Sequence, residues 1–306
     1  MKATTTAASF RPMDSKVETF SAHKPRLLAL AYRMLGSRSD AEDVLHDAWL
    51  RWAGADTHEI RSSEAWLTTA VTRLSIDRLR KAKVEREAYF GPWLPEPLSE
   101  ADLNSPDIAL ERDEDLSIAF MTMLETLSPE ERAVFVLHDV LDDDYADIAE
   151  TVGKSEAACR QMVHRARERL TSRRRRFLVD DATRMRMMEK FVAAANRGDR
   201  DEIMALFASD AVMTSDGGGK RVAAIRPLIG AKRIAMLWYA IARRHGGRVT
   251  RVFTSVNGQP ALANYYGEFL HSVAVFDTDG EVIHAIYTIA NPDKLRSFSN
   301  VSQLRA

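Results

Sequence analysis

The stretch "GPWLPEPLSEADLNSPD", residues 91–107, restricts the possible folds more than any other part of the sequence. It holds four prolines, each of which fixes φ and lacks the N–H that a helix interior needs. A continuous helix therefore cannot pass through it. It also lies in an acidic part of the chain, since residues 96–125 contain nine Asp or Glu and one Lys or Arg. We interpret residues 91–110 as a Pro-rich acidic linker between two folded segments.

Helical patterns lie on both sides of this linker. Before it, apolar residues such as Leu27, Leu30 and Met34 recur every three or four positions, which predicts helices within residues 15–90. In "SRSDAEDVLHDAWLRW" Ser39 is the predicted N-cap. After the linker, Ser128 begins a predicted capping box, and residues 111–176 are predicted to form a second helical domain.

The periodicity changes after residue 176. Residues 180–306 begin with two helical stretches and continue with alternating stretches such as "RVTRVFTSVNG" and "EVIHAIYTIANP". Turn dipeptides, Asn257-Gly258 and Asp279-Gly280, separate the predicted strands. The sequence thus predicts a multi-domain protein, with two all-α domains followed by an α+β domain whose helices cover one face of a curved, mostly antiparallel sheet.

The composition of the 306-residue chain excludes several classes of protein. With 45% hydrophobic residues the chain can build several cores. Cys159 is the single cysteine, so an intramolecular disulfide framework and a Cys-rich metal site are excluded. The sequence has no apolar run near the ~20 residues of a membrane span and no signal-peptide pattern. We expect a cytoplasmic protein without a metal or cofactor.

The segment "DYADIAETVGKSEAACRQMVHRARERL" predicts a helix-turn-helix with its turn at Gly153. In such a motif the second helix enters the DNA major groove, where Arg and Gln suit base edges and further arginines suit phosphates. The alternative is a solvated helix whose basic end is favourable near the C-terminus. The candidate DNA-contacting residues are Arg160, Gln161, His164, Arg165 and Arg167, and Arg173–Arg176 follow as a basic run.

Two patterns mark the first helical domain. One helix carries an acidic set that DNA would repel and that therefore suggests a basic protein partner: Asp40, Glu42, Asp43 and Asp47. The stretch "AWLTTAVTRLSIDRLRKAK" combines Trp66 with basic residues, as single-strand binding requires. The alternative is that Trp66 and its apolar neighbours form core.

Together these segments resemble a known family. "YRMLGSRSDAEDVLHDAWLRW" and "AWLTTAVTRLSIDRLRKAK" resemble region 2 of extracytoplasmic-function (ECF) sigma factors, and residues 127–170 resemble region 4. The resemblance implies that the acidic set binds the clamp helices of core RNA polymerase, and it implies contacts with the flap region and with promoter DNA. It implies minus-35 recognition by the helix-turn-helix. It assigns minus-10 recognition to Ser62, Ser63, Glu64, Trp66, Thr69, Arg73 and Asp77.

The C-terminal third resembles the SnoaL-like branch of the NTF2-like cone fold. "WLPEP", "DGGGK" and "NPDKL" resemble signatures of the sigma factors that carry this fused domain, a group that includes the mycobacterial sigma-J type. The resemblance implies regulation by the attached domain, without a separate anti-sigma factor. The glycines favour a close contact loop, with a plain hairpin turn as the alternative. The expected interdomain contacts are Asp216, Gly217, Gly218, Gly219, Lys220, Asn291, Pro292, Asp293, Lys294 and Leu295.

The predicted function is that of an alternative sigma factor that is not an enzyme. Two other functions stay open at this point. In one, Asp216, His284 and Tyr287 form an acid-base set of a SnoaL-type cyclase or isomerase fused to a DNA-binding module. In the other, the C-terminal domain binds a small molecule and the chain is a ligand-sensing regulator.

Overall fold

The first three helices form an N-terminal bundle. The computed structural model describes residues 12–103, 116–171, 179–245 and 247–298. In it α1 spans Pro12–Leu35, α2 spans Arg38–Gly54 and α3 spans Ser63–Glu87. The prediction of Ser39 as the N-cap of α2 was wrong, because the Ser37 side chain accepts the Asp40 N–H instead. Gly36 ends α1 in the left-handed conformation (φ +66°), so the chain turns at once and α2 begins one residue after Ser37.

The second group of helices follows the linker. It consists of a short α4 (Glu100–Leu103), α5 (Ile118–Leu124), α6 (Pro129–Phe135), a π-helical turn (Val136–Val140), α7 (Tyr145–Val152) and α8 (Glu156–Thr171). The predicted capping box is confirmed, since Ser128 and Glu131 bond each other's backbone N–H groups. Gly153 adopts φ +67° between α7 and α8, which confirms the predicted helix-turn-helix. Arg173–Arg176 lie outside the described residues.

The two groups of helices pack against each other. Helix α3 contacts both α6 and α7. As a result, buried residues of both groups belong to one apolar cluster, which includes Leu30, Val71, Phe135, Ile148 and Val163. The apolar side chains of each group of helices therefore pack against those of the other group, and the two groups share one core.

The C-terminal domain is the predicted α+β fold. Helices α9 (Asp181–Arg197) and α10 (Arg200–Ala205) precede β1 (Phe207–Asp216) and β2 (Leu228–Ile229), and α11 (Ala231–His245) precedes β3 (Val249–Val256), β4 (Gln259–Tyr266), β5 (Phe269–Thr278) and β6 (Ile283–Ile289). The strand order is β2-β1-β6-β5-β4-β3. The β1–β6 pair is parallel and the other pairs are antiparallel.

Each face of this sheet is covered by a different part of the chain. On one face, Leu262 and Phe276 pack with residues of α9 and α11. On the other face, the sheet meets the predicted linker and the start of α5: Leu94, Ile118, Val256, Val273 and Phe298 belong to one buried cluster. Residues 94–99 are thus packed between domains, apart from the half-buried Glu96, rather than being a solvated connection.

Asn257 connects three parts of the molecule. Its Oδ1 accepts the Leu98 N–H at 2.8 Å, and its Nδ2 donates to the Leu116 carbonyl at 2.7 Å and to the Tyr32 hydroxyl at 2.8 Å. Its backbone N–H donates to the Leu98 carbonyl at 2.9 Å. A residue at the β3–β4 turn therefore fixes α1, the linker and the segment that precedes α5.

Across the described ranges, no helix is both long enough and apolar enough to cross a membrane.

We predict that Asn257→Gly lowers the free energy of unfolding by about 2–4 kcal/mol, because buried partners lose their hydrogen bonds. Glycine tolerates the φ of +52° at this position, so the change adds no backbone strain. Urea unfolding followed by tryptophan fluorescence measures the change, and limited proteolysis at residues 91–103 detects loosening of the linker.

The matched control is Asp142→Gly, at an exposed residue with φ +60°. It should not lower the stability. Equal stability of Asn257→Gly and the unmodified chain would contradict the role assigned to Asn257.

Candidate functional site

The acidic set on α2 is presented to solvent except at one residue. Glu42, Asp43 and Asp47 are exposed. Asp40 is half-buried and accepts from Arg78 on α3 at 2.7 Å. Asp43 and Asp47 are thus available to a partner, Glu42 is exposed but accepts from Arg38 at 2.8 Å, and Asp40 joins α2 to α3.

The candidate DNA-contacting residues of α8 share an exposed face, and all five of their side chains are exposed. Arg160 pairs with Glu156 at 2.6 Å and lies over the Tyr145 ring, with 5.0 Å from its guanidinium carbon to the ring centroid. Arg167 donates two hydrogen bonds of 2.8 Å to Asp139 on the π-helical turn. The opposite side of α8, with Cys159 and Val163 among others, is buried in the helical core.

The first residues of the candidate set at the start of α3 have structural contacts. The Ser62 hydroxyl caps the helix by accepting the Ala65 N–H at 3.2 Å, and Glu64 pairs with Arg26 of α1. Trp66 is partly buried, with its ring centroid 5.4 Å from that of Trp52. The core alternative for Trp66 therefore agrees with this arrangement.

Helix α7 lies directly against two later residues of the same set, Thr69 and Arg73. The Thr69 and Thr151 hydroxyls are 3.0 Å apart. Arg73 donates to the Thr151 carbonyl at 2.9 Å and to the Glu150 carbonyl at 3.0 Å. These carbonyls belong to the last turn of α7, which lacks intrahelical partners for them. Arg73 thus acts as a side-chain cap on α7, an interaction that the local sequence pattern of α3 does not reveal.

Two further ion pairs join the same surfaces. Arg26 of α1 reaches both Glu64 and Asp143, the latter at 3.2 Å, and Arg80 of α3 reaches Glu130 of α6 at 2.6 Å. The local sequence pattern gives no sign of Arg26 or Asp143. Arg26 lies 38 residues before Glu64 and 117 residues before Asp143.

The "DGGGK" loop contributes a buried carboxylate to the interdomain contact. Asp216 has 0% exposure, and it accepts the Tyr89 hydroxyl at 2.6 Å, the Leu94 N–H at 2.9 Å and the Lys294 ammonium at 2.7 Å. Burial lowers the pKa of Lys294, and the Asp216 charge opposes that shift. Burial and the bond to Asp216 raise the pKa of Tyr89. The carboxylate therefore joins the end of β1, the linker and the "NPDKL" segment.

Gly218 permits a close approach within this contact. Its φ is +58°, and a Cβ atom there would lie 2.3 Å from the Asn291 Nδ2 atom. That nitrogen donates to the Tyr89 hydroxyl at 2.9 Å. Lys220 and Asp293 form an exposed ion pair between the loop and "NPDKL". Of the other residues in these segments, Gly217 and Gly219 lie in the same loop and Pro292 begins a 3₁₀ turn. Leu295 is buried against the face of the sheet that meets the linker.

The linker also bonds the N-terminal bundle. The Glu96 N–H donates to the Gly36 carbonyl at 2.8 Å, and its carboxylate accepts the Arg38 N–H at 2.9 Å. Arg86 and Lys294 both lie over the Trp93 ring, at 3.8 and 4.0 Å from its centroid. The "WLPEP" stretch is a signature in the sequence, but no local pattern indicates these partners.

The residues considered as an acid-base set are engaged in different contacts. Asp216 bonds Tyr89, Leu94 and Lys294, as described above. His284 Nε2 lies 2.7 Å from Asp279 Oδ2, and Tyr287 packs against the cluster on the linker side of the sheet.

Comparison with known proteins identifies the family. Sigma-70 region 2 matches residues 19–85 and sigma-70 region 4 matches residues 117–170. The chain is 36% identical over 291 residues to the ECF RNA polymerase sigma factor SigJ of Mycobacterium tuberculosis. The alignment covers 91% of this chain and 93% of SigJ. It is 30% identical over 289 residues to SigG of the same organism, covering 83% of this chain and 75% of SigG. The chain belongs to the ECF family of sigma-70 factors.

A solved structure agrees over nearly the whole length of this sigma factor. The crystal structure of M. tuberculosis SigJ has a TM-score of 0.75 and 33% identity, and covers 92% of this chain and 98% of that one. The chain is therefore an alternative sigma factor that directs transcription initiation. Helices α1–α3 contain its region 2 match, and α5–α8 coincide with its region 4 match.

We predict that Asp216→Ala destabilises this sigma factor by about 3–5 kcal/mol, because Lys294 would keep a buried charge without its carboxylate. Urea unfolding measures the loss. Stern–Volmer quenching by acrylamide should also increase, since Trp93 lies in the contact that Asp216 holds together.

Asp293→Ala is the control, since it removes an exposed carboxylate from the pair with Lys220 and should cost less than about 1 kcal/mol. Equal losses for the two variants would contradict a special role of the buried carboxylate.

Proposed function

We propose that this sigma factor reads two promoter elements with separate helical domains, and that its C-terminal domain holds those domains together until initiation. The proposed domains are region 2 at residues 15–90, a linker at 91–110, region 4 at 111–176 and a regulatory domain at 180–306. The contact of Thr69 and Arg73 with α7 carries this proposal, because it places minus-10 candidates of region 2 against a helix of region 4.

In this proposal α8 reads the minus-35 element. Exposed Arg and Gln side chains can make bidentate contacts with bases in the major groove, and neighbouring arginines can neutralise phosphates. Arg160, Gln161, His164 and Arg165 face that groove, and Arg167 contacts the backbone after it leaves Asp139. Their shared exposure on one face of α8 supports this assignment.

Two of the minus-10 residues, Thr69 and Arg73, become available only when α7 moves. Ser62, Ser63, Glu64 and Trp66 form the start of the recognition surface, and Thr69, Arg73 and Asp77 continue it along α3. Extruding a base from duplex DNA costs a few kcal/mol, so the pocket that receives the base must be open. A side chain that caps α7 cannot contact DNA at the same time.

Core RNA polymerase is the proposed protein partner. The exposed carboxylates Glu42, Asp43 and Asp47 provide complementary charge for a basic surface such as the polymerase clamp helices. Asp40 contributes by positioning α2 through Arg78. Region 4 would meet the flap region, and the two contacts together would separate the helical domains.

The C-terminal domain can restrain that separation because it binds both ends of the ordered linker. Asp216 bonds Leu94, while Asn257 bonds Leu98 and also Leu116, just before α5. A linker fixed at these points cannot extend while the bonds persist. We therefore assign "DGGGK" and "NPDKL" an inhibitory contact within the free chain, which requires no separate anti-sigma factor.

A ligand of the C-terminal domain is a second candidate regulator. Four buried side-chain atoms on the helix-facing side of its sheet have no hydrogen-bond partner within the described residues: Trp238 Nε1, Arg251 Nε, Asn264 Oδ1 and Thr288 Oγ1. Arg251 and Asn264 are directly paired across β3 and β4. A small polar molecule could satisfy such groups.

Run-off transcription with purified core polymerase tests the function. We predict a promoter-specific transcript in the presence of the protein, and we predict that Arg160→Ala weakens promoter binding by about 1–3 kcal/mol if Arg160 reads a base edge. Fluorescence anisotropy of the polymerase complex with labelled promoter DNA measures the affinity.

Arg243→Ala, at an exposed arginine of α11, is the matched control and should bind promoter normally. Absence of any promoter-specific transcript would refute the sigma activity. Normal affinity and an unchanged minus-35 preference in Arg160→Ala would refute the role of that residue alone.

A further inference from the structure

A cleft of about 710 Å³ lies between the two helical domains of the free chain. Helix α3 forms one side, and the α5–α6 connection with the end of α8 forms the other. This volume falls within the range of about 300–1,000 Å³ that is usual for small-molecule sites. The charged residues that line it are Lys83, Arg86, Arg132 and Arg169, with Glu87, Glu125 and Glu131.

Two of the three carboxylates are already used by arginines of the cleft. Glu125 accepts from both Arg86 and Arg132. Glu131 accepts the Ser128 N–H at 3.0 Å and Arg169 at 2.8 Å. These acidic groups therefore neutralise much of the positive charge but leave other cationic N–H groups for a ligand.

One N–H group of Arg132 is buried and has no acceptor among the described residues. Its side chain is 2% exposed. Nε donates to the Arg33 carbonyl at 2.9 Å and Nη1 donates to Glu125, whereas Nη2 has no hydrogen-bond partner within the described residues. A buried donor left unpaired is costly, and more so when it is charged, so an acceptor from outside the chain would be strongly favoured here.

Two more donors line the same cleft. Lys83 is exposed on α3. The Ser128 hydroxyl accepts the Glu131 N–H at 3.3 Å and keeps its own proton to donate. Residues that carry an ammonium, a guanidinium and a hydroxyl group thus line one cleft, and such groups together can satisfy several acceptor oxygens of a single anion.

We propose that this cleft binds a small phosphorylated molecule, with phosphate oxygens accepting from Arg132, Lys83 and Ser128. Guanidinium and ammonium groups form strong charge-assisted hydrogen bonds with phosphate. A ligand seated there touches region 2 through Lys83 and region 4 through Arg132, so it stabilises the arrangement in which the two domains are in contact. That consequence for transcription rests on the proposed function, whereas binding itself does not.

Isothermal titration calorimetry of the full free chain tests the site, with pyrophosphate as the first probe and inorganic phosphate and magnesium-free ATP as the others. We expect saturable binding with one site per chain. Lys83→Ala should weaken it at least about tenfold through loss of a charge-assisted contact. Arg132→Lys should weaken it as well, because lysine cannot reproduce the guanidinium geometry. Binding of all three probes identifies a general phosphate site, and binding of ATP alone identifies a nucleotide.

Lys81→Ala is the matched control, because Lys81 is exposed on the same helix but does not line the cleft. Lys83 is also exposed, so its variant should fold even if Arg132→Lys does not. No saturable binding of any probe up to millimolar concentration would overturn the proposal, as would equal affinity in the unmodified, Lys83→Ala and Lys81→Ala proteins. Because this measurement uses neither promoter nor polymerase, its outcome is separate from that of the transcription assay.

Discussion

The "WLPEP" part of the linker and Leu98 after it depend on hydrogen bonds to other domains. Prolines at positions 95 and 97 contribute no N–H, and the N–H groups of Leu94, Glu96 and Leu98 bond Asp216, Gly36 and Asn257 at 2.8–2.9 Å. Buried backbone N–H groups must be paired, and an extended Pro-rich segment cannot pair them within itself. The linker is therefore held between the α1–α2 junction on one side and, on the other, the face of the C-terminal sheet that the α9 and α11 helices do not cover.

This placement determines how the helical domains meet. With the linker fixed near Leu94 and Leu98, and Leu116 fixed by the same asparagine, region 4 begins close to region 2 and packs onto α3. Arg73 then pairs the last carbonyls of α7. Arg73 thus stabilises the free protein through these bonds. In the function proposed above, the same side chain contacts promoter DNA once the bonds have broken.

The sequence predicted the local features well. The capping box at Ser128, the left-handed turn at Gly153 and the alternating strands all follow from short-range patterns, and the structure confirms them. The packing of the linker could not be predicted in this way. Its bonds join residues 122 and 159 positions apart, as in Leu94 with Asp216 and Leu98 with Asn257, and Asn257 had the ordinary pattern of a turn residue. The three signature stretches indicated where contacts concentrate. Their partners had no local signal: Tyr32 donates to the Glu96 carbonyl at 2.7 Å, and Tyr89 donates to Asp216.

The most direct test of the account is to lock the two helical domains together. Thr69 and Thr151 can both be replaced by cysteine, since their hydroxyl oxygens are 3.0 Å apart and the native Cys159 is buried. Under oxidising conditions the double variant should give no promoter-specific transcript with core polymerase. Reduction should restore transcription to the level of the Thr69→Cys single variant, and each single variant should transcribe to the same extent in both conditions. A fully cross-linked chain that transcribes as well as the reduced one would show that α3 and α7 need not separate, and would contradict the account.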